Sequence, residues 1–193
     1  MNLDILEYGP ECLEEYGRVP ISFRVDSIFR VIEINNGLGG LQFREELIAE
    51  PYLKDYDEDE VEGPSRWTKR FDVSNWVFLL AHDGGQTVGA ATVVSRTPSV
   101  NMLDDRNDLA VLWDLRVHPE HRRCGVGRAL FSHAVAWSRA RGLNQMKIET
   151  QNTNVRACRF YTAMGCHLGG IHRYFYLEPQ YAHEVALFWY LDL

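Results

Sequence analysis

The stretch "EHRRCGVGRAL", Glu120 to Leu130, decides the reading of this chain. It sets Gly125 and Gly127 one residue apart, beside Arg122, Arg123 and Arg128, immediately before a helical pattern. A helix N-terminus offers unpaired backbone N–H groups and the positive end of a dipole, which together favour an anion. Glycine lets the main chain turn sharply and lets a phosphate approach without meeting a Cβ. A strand-to-helix turn with solvated arginines would need the same residues, so the spacing by itself leaves both readings open. Two nucleotide motifs are disfavoured. No Gly-Lys-Ser/Thr follows, and Leu130 stands where a dinucleotide fingerprint wants its third glycine.

Outward from this turn, "LAVLWDLRVHP" (109–119) is a strong strand pattern stopped by Pro119. On the other side Val126, Leu130, Ala134 and Trp137 recur at helical spacing, and Gly142 ends the helix. "QMKIET" (145–150) reads as a short strand, "NVRACRFYTAMG" (154–165) as a second helix, and "VALFWYLDL" as a closing strand. Upstream, 75–95 reads as a hairpin about Asp83-Gly84-Gly85. Residues 19–34 read as strand, 41–50 as a short helix ended near Pro51, and 55–63 and 96–108 as loops, the first densely acidic. An antiparallel hairpin followed by a strand–helix–strand crossover predicts a mixed α/β fold around one core.

The 193 residues carry a formal net charge of −7, which opposes generic nucleic-acid binding and suits a cationic small substrate. No apolar run reaches the ~20 residues of a membrane span, and the first residues lack a basic, apolar leader pattern, so the expected location is cytoplasmic. Cys12, Cys124, Cys158 and Cys166 show no metal-type pairing, so reduced thiols and no metal are expected.

The residues Arg122-x-x-Gly125-x-Gly127, after the strand "LWDLRVHPEHR", resemble the acyl-CoA pyrophosphate loop of the GNAT superfamily of N-acyltransferases. Downstream, "NTNVRACRFYTAMGC" resembles that family's second signature, with Asn154, Ala157, Phe160, Tyr161 and Gly165 in place. The two signatures stand in the family's order, and the likeness spans about residues 75–192. "ETQNTNVRACRFYTAMGCHLGGIHRYFY" is most similar to streptothricin acetyltransferases and their relatives.

The resemblance implies a single N-acetyltransferase domain over 1–193, with 1–74 on the substrate side. It implies a central, mostly antiparallel sheet with a splayed parallel strand pair and flanking helices. It implies acetyl-CoA as cosubstrate. Leu115, Arg116 and Val117 would run beside the pantetheine arm. Arg122, Arg123, Cys124, Gly125, Val126, Gly127, Arg128 and Ala129 would cradle the pyrophosphate. Asn154, Ala157 and Phe160 would lie by the cofactor, and Tyr161 near the thioester sulfur.

Acetyl transfer needs a neutral amine, and most alkyl amines are protonated at neutral pH, so a base or water chain is required. Asp114, inside the strand beside the proposed cofactor arm, and Glu149, ending the neighbouring strand, are both candidates. If Leu115 and Val117 face one side of the sheet, Asp114 and Arg116 face the other. A tyrosine hydroxyl at Tyr161 suits a proton donor to the departing thiolate. The expected partner is a small molecule with a cationic primary amine, a streptothricin- or aminoglycoside-like antibiotic among the candidates, acted on by a monomer or homodimer. The alternatives are acetylation of protein N-termini or lysines, and an acyl-CoA-binding sensor or structural module without chemistry.

Overall fold

The computed structural model describes residues 2–58 and 63–193. The chain divides into two compact units. The first comprises the residues up to Ser22, Asp55–Ile148 and Tyr190–Leu193, and the second Phe23–Lys54 and Glu149–Trp189.

In the first unit, β1 (Leu3–Tyr8), β4 (Trp76–Asp83), β5 (Gln86–Ser95) and β6 (Leu109–Val117) lie side by side, all antiparallel. β7 (Gln145–Gln151) adds to β6 in parallel. The β4–β5 hairpin turns where expected, with Gly84 and Gly85 at φ +59° and +84°, the conformation a two-residue hairpin turn demands. One face of this sheet carries an aromatic layer. Tyr16 from α1 (Leu13–Gly17) and Trp67 from α2 (Pro64–Arg70) pack edge-on at 5.4 Å, and Trp67 stacks on Phe78 at 6.2 Å. Trp76, Leu80, Leu109 and Val111 complete that core.

The other face receives α3 (Val126–Ala140), which buries Val126, Leu130, Ala134 and Trp137. The approach is close at Gly89. A Cβ there would sit 2.7 Å from Val126 Cγ1 and 3.0 Å from Leu130 Cδ1. The helix ends in a paired cap: Leu143 N–H donates to the Ser138 carbonyl (3.2 Å) and Gly142 N–H to that of Arg139 (3.0 Å), with Gly142 at φ +69°.

In the second unit, β2 (Phe23–Glu33) and β3 (Leu41–Lys54) form a long antiparallel hairpin. This corrects the short helix expected over 41–50. Apolar residues at Leu41, Phe43, Leu47 and Ile48 permit either period. Pairing with β2 decides for strand, with Val31 opposite Phe43 and Phe29 edge-on to Phe43 at 6.0 Å. Pro51, the expected stop, lies in a break of register: Val25 pairs with Tyr52 and Ser27 with Leu47, so β3 carries extra residues opposite Asp26. A proline is tolerated at such a bulge because no ladder N–H is required of it.

The unit also holds α4 (Val155–Ala163), β8 (His167–His172) and β9 (Ala186–Asp192) up to Trp189. β9 lies between the end of β7 and β8. Asn152 stitches the elements: its main chain and side chain both bond Val185, and both bond Phe29. The acidic stretch expected as a loop is only partly visible. Tyr56–Glu58 form a single tight turn, and 59–62 fall outside the described residues.

Candidate active site

The turn that opened the sequence reading starts α3 without a side-chain cap. Arg123 (φ +65°) and Gly125 (φ +92°) take left-handed backbone conformations, and Gly125 is the N-cap. The first N–H groups of any α-helix have no acceptor within it, so those of Val126, Gly127 and Arg128 open onto the turn. Arg123, Cys124 and Arg128 are exposed, Gly127 and Ala129 half-buried, and Val126 buried. The guanidinium of Arg122 is used otherwise. Nε donates to the Val117 carbonyl at 3.0 Å and Nη2 to that of Ser22 at 2.7 Å, tying the end of β6 to a neighbouring segment.

The β6–β7 ladder covers Leu109, Ala110 and Val111 opposite Gln145, Met146 and Lys147. Among the described residues it goes no further, while β6 continues to Val117 against β5. Leu112 to Val117 therefore present one unladdered backbone edge, leading to the α3 turn. An extended amide-bearing arm could pair with such an edge, as strand addition does.

Asp114 and Arg116 share a face, as alternation requires. Arg116 is 2% exposed and grips Asp114 through Nε (2.9 Å) and Nη2 (2.6 Å). Its Nη1 reaches Asp57 (2.9 Å) and the Val19 carbonyl (3.1 Å). Tyr16 completes the cluster, donating its hydroxyl to Asp114 at 2.7 Å. Burial opposes the charge on Arg116, but Asp114, then Tyr16 and Asp57, outweigh it and hold the guanidinium above its ordinary range. Burial, and then the charge of Asp114, pushes the Tyr16 hydroxyl well up. Asp57 belongs to the acidic stretch that sequence alone leaves solvated.

In the second unit, Glu149 accepts a short hydrogen bond from the Tyr176 hydroxyl. It is half-buried, and burial pushes its carboxyl up to about 7, opposed by Tyr176 and Lys54 and assisted by Glu184. A carboxyl in that range exchanges protons near neutral pH. Lys54 and Glu184 form a buried pair beside Thr153. Tyr176, Lys54 and Glu184 are absent from the sequence reading. Lys54 was hidden by the misread β3, and the other two carry no local pattern.

α4 begins on Asn154, whose Oδ1 accepts from Ala157 N–H at 3.1 Å, a side-chain cap. Tyr161 is buried, its ring 5.3 Å from that of Phe160. Its carbonyl is fixed by the helix end: Cys166 N–H donates to it at 3.0 Å, and Gly165 takes φ +89°. Of the aromatic residues, Trp76 and Trp113 lie in the first unit's aromatic layer, 5.6 Å apart. Trp189 donates to Thr150 Oγ1 at 3.0 Å. Among the described residues no cluster of three metal-ligating side chains is found, and no helix is long and apolar enough to cross a membrane.

The fold, an antiparallel sheet with one short parallel pair and a glycine turn opening the crossover helix, defines an acyltransferase class. The sequence model of the acetyltransferase (GNAT) family matches residues 41–166, and the chain belongs to that family. It is 26% identical over 148 residues to streptothricin acetyltransferase A of Bacillus subtilis (strain 168), across 77% of this chain and 78% of that protein. Nourseothricin acetyltransferase superposes with a TM-score of 0.77 at 25% identity, covering 100% of this chain and 99% of the other. A Bacillus anthracis str. Ames protein solved in complex with acetyl coenzyme A gives 0.78 at 24% identity over 100% of both chains.

Proposed function

We propose that this protein moves an acetyl group from acetyl-CoA to a primary amine of a small cationic molecule, of the streptothricin kind. The observation that carries this reading is the end-to-end likeness to nourseothricin acetyltransferase. The residues present suit the cosubstrate. The α3 turn offers N–H donors to a pyrophosphate, with Arg123 and Arg128 exposed beside it. The Leu112–Val117 edge suits a pantetheine arm. The thioester, when bound, supplies the acetyl group.

Glu149 is the base in this reading. It takes one proton from the incoming ammonium, leaving a neutral nitrogen. A main-chain N–H stabilises negative charge on the carbonyl oxygen. As the new C–N bond forms and the C–S bond breaks, Tyr161 gives its proton to sulfur. The second proton on nitrogen then restores the tyrosine, directly or through water. The sum is one amide, one thiol and one proton released. Asp114 is assigned a structural part, since Arg116 and Tyr16 already engage it.

The test is thiol release from acetyl-CoA with a panel of acceptors: β-lysyl-bearing antibiotics, simple monoamines and peptides. Turnover with the first group is expected. Turnover with peptides alone would overturn the small-molecule reading, and CoA binding without turnover on any acceptor would favour a sensor. Gly127→Trp is expected to weaken CoA binding in calorimetry while the fold persists, and unchanged affinity would remove the pyrophosphate from this turn.

A further inference from the structure

Glu149 stands on β7, and Tyr176 stands on the connection between β8, which ends at His172, and β9, which begins at Ala186. Both residues belong to the second unit. The Tyr176 hydroxyl donates to Oε1 of Glu149. Among the described residues no other hydrogen bond reaches this carboxyl, so Oε2 receives none. Tyr174, Phe175 and Leu177 around Tyr176 are 82%, 40% and 83% exposed, while Tyr176 is half-buried. The run thus turns its hydroxyl-bearing ring inward and leaves apolar surface outside, the reverse of what burial of apolar area favours. The carboxyl of Glu149 is what the inward hydroxyl meets.

The connection is fastened at both ends. Phe175 stands edge-on to Phe188 of β9 at 5.4 Å, to His172 at 5.8 Å and to the Tyr176 ring at 5.2 Å. Near β9, Val185 N–H donates to Asn152 Oδ1 at 2.8 Å, and Asn152 N–H donates to the Val185 carbonyl at 2.9 Å. A hydroxyl carried on such a frame fixes the carboxyl it meets instead of following it.

The chemistry of this bond is one-sided. A carboxylate has two oxygens, and taking a proton needs only one. With Oε1 engaged, Oε2 is left for an ammonium. Donation from O–H to a carboxylate is charge-assisted and stronger than donation to the neutral acid. Tyr176 therefore favours the ionised form that a base needs, and its bond can persist once Oε2 has taken the proton.

We propose that Tyr176 is the positioning residue of Glu149: its hydroxyl engages Oε1, holds the carboxyl in one orientation and leaves Oε2 to meet the ammonium of the acceptor. The proposal rests on Glu149 serving as the base for its catalytic meaning, and on the hydrogen bond for its structural content.

Burial is the largest influence on the Glu149 carboxyl, and Tyr176 opposes it. The other titratable groups that act on Glu149 or feel it are Lys54 at the end of β3, Glu184 before β9 and Cys158 in α4. Among the described residues none of the three hydrogen-bonds to it, and all three remain in Tyr176→Phe. That variant keeps the ring and its contact with Phe175 and removes the oxygen alone, so Glu149 holds its proton to higher pH.

The experiment titrates the Glu149 carboxyl by carbon-13 NMR in the full chain and in Tyr176→Phe, with Glu149→Gln providing the assignment. Tyr174→Phe, which loses a hydroxyl from the same connection at an exposed position, is the control. The pH dependence of kcat/KM, which reports the free enzyme, is measured in parallel. In Tyr176→Phe the Glu149 midpoint is expected to rise by roughly half to one pH unit, and the ascending limb of kcat/KM to move with it. In Tyr174→Phe both stay with the parent. A Glu149 midpoint that stays or falls in Tyr176→Phe, or that rises equally in Tyr174→Phe, overturns the proposal. If the midpoint rises and the limb stays fixed, Tyr176 still anchors Glu149, and it is the assignment of Glu149 as base that falls.

Discussion

Asp114 and Glu149 are carboxylates on neighbouring strands, equally eligible as bases by sequence, and the fold buries them in opposite company. Asp114, its side chain 7% exposed, is held by two nitrogens of Arg116 and the hydroxyl of Tyr16. Among the described residues Glu149 has a single hydroxyl donor, and Lys54 is already locked to another carboxylate. The first carboxylate is committed to organising its surroundings. The second is left with a proton to exchange. Burial alone does not separate the two carboxyls; the presence or absence of a dedicated cation does.

Three experiments would break or sharpen that contrast. The largest effect is expected on turnover. Glu149→Gln should lower kcat/KM by about 10²-fold or more at neutral pH, and Tyr161→Phe should cost a comparable factor when chemistry limits the rate. Asp114→Asn should leave turnover per folded molecule within a few-fold. Equal losses for Asp114→Asn and Glu149→Gln would erase the distinction.

The second effect is on stability and runs the other way. Asp114→Asn takes the charge from the main partner of a 2%-exposed guanidinium, leaving Asp57 as its remaining anion among the described residues. Breaking one side of a buried pair costs roughly 3 kcal/mol, so a lower denaturation midpoint in urea is expected, with unchanged slope. A midpoint equal to the parent would show that the cluster around Arg116 is held by other contacts.

The smallest effect is the pH dependence that Glu149 gives the fold. Its folded pKa is raised from 4.5 to about 7, so the native state binds the extra proton between those values. The stability associated with the protonated form is fully present below about 4.5 and is lost as pH rises through about 7. Glu149→Gln removes that loss. Its stability curve should run parallel to the parent's at low pH and lie above it at pH 8, by roughly 2 kcal/mol. Urea titrations at pH 4.5, 6 and 8 read this directly. A gap that does not widen with pH would place the Glu149 carboxyl in its ordinary range.

Much of the frame was legible because local chemistry dictated it. β4, β5 and β6 are dense in apolar residues, and the glycines that end α3 and α4 are required by left-handed backbone at Gly142 and Gly165. β3 was misread because its apolar spacing fits two periods and only its pairing with β2 decides. β1 and α2 escaped notice because they are short, and of α2 only Pro64 and Trp67 are buried. In the site, the glycine turn and Tyr161 stand in motifs. Tyr176 meets Glu149, and Lys54 meets Glu184, only through the tertiary fold, and no spacing along the chain announces such meetings.

The strand β6 carries one further lesson. Opposite β5, Thr92 pairs with Asp114 and Val93 with Leu112, so Trp113 is an extra residue, a bulge. Leu109, Val111 and Trp113 face the aromatic layer, and so do Asp114 and Arg116, which meet Tyr16 there. The bulge thus works as a frameshift in the alternation of the strand. Before it, odd-numbered residues face inward; after it, even-numbered ones do. Substitution anywhere along β6 alters one environment at a time. Deletion of the single residue Trp113 would restore regular alternation and leave Asp114 and Arg116 facing Tyr16, taking one ring out of the aromatic layer. The extra residue therefore lets a tryptophan and a carboxylate, adjacent in the chain, face the same side of the sheet.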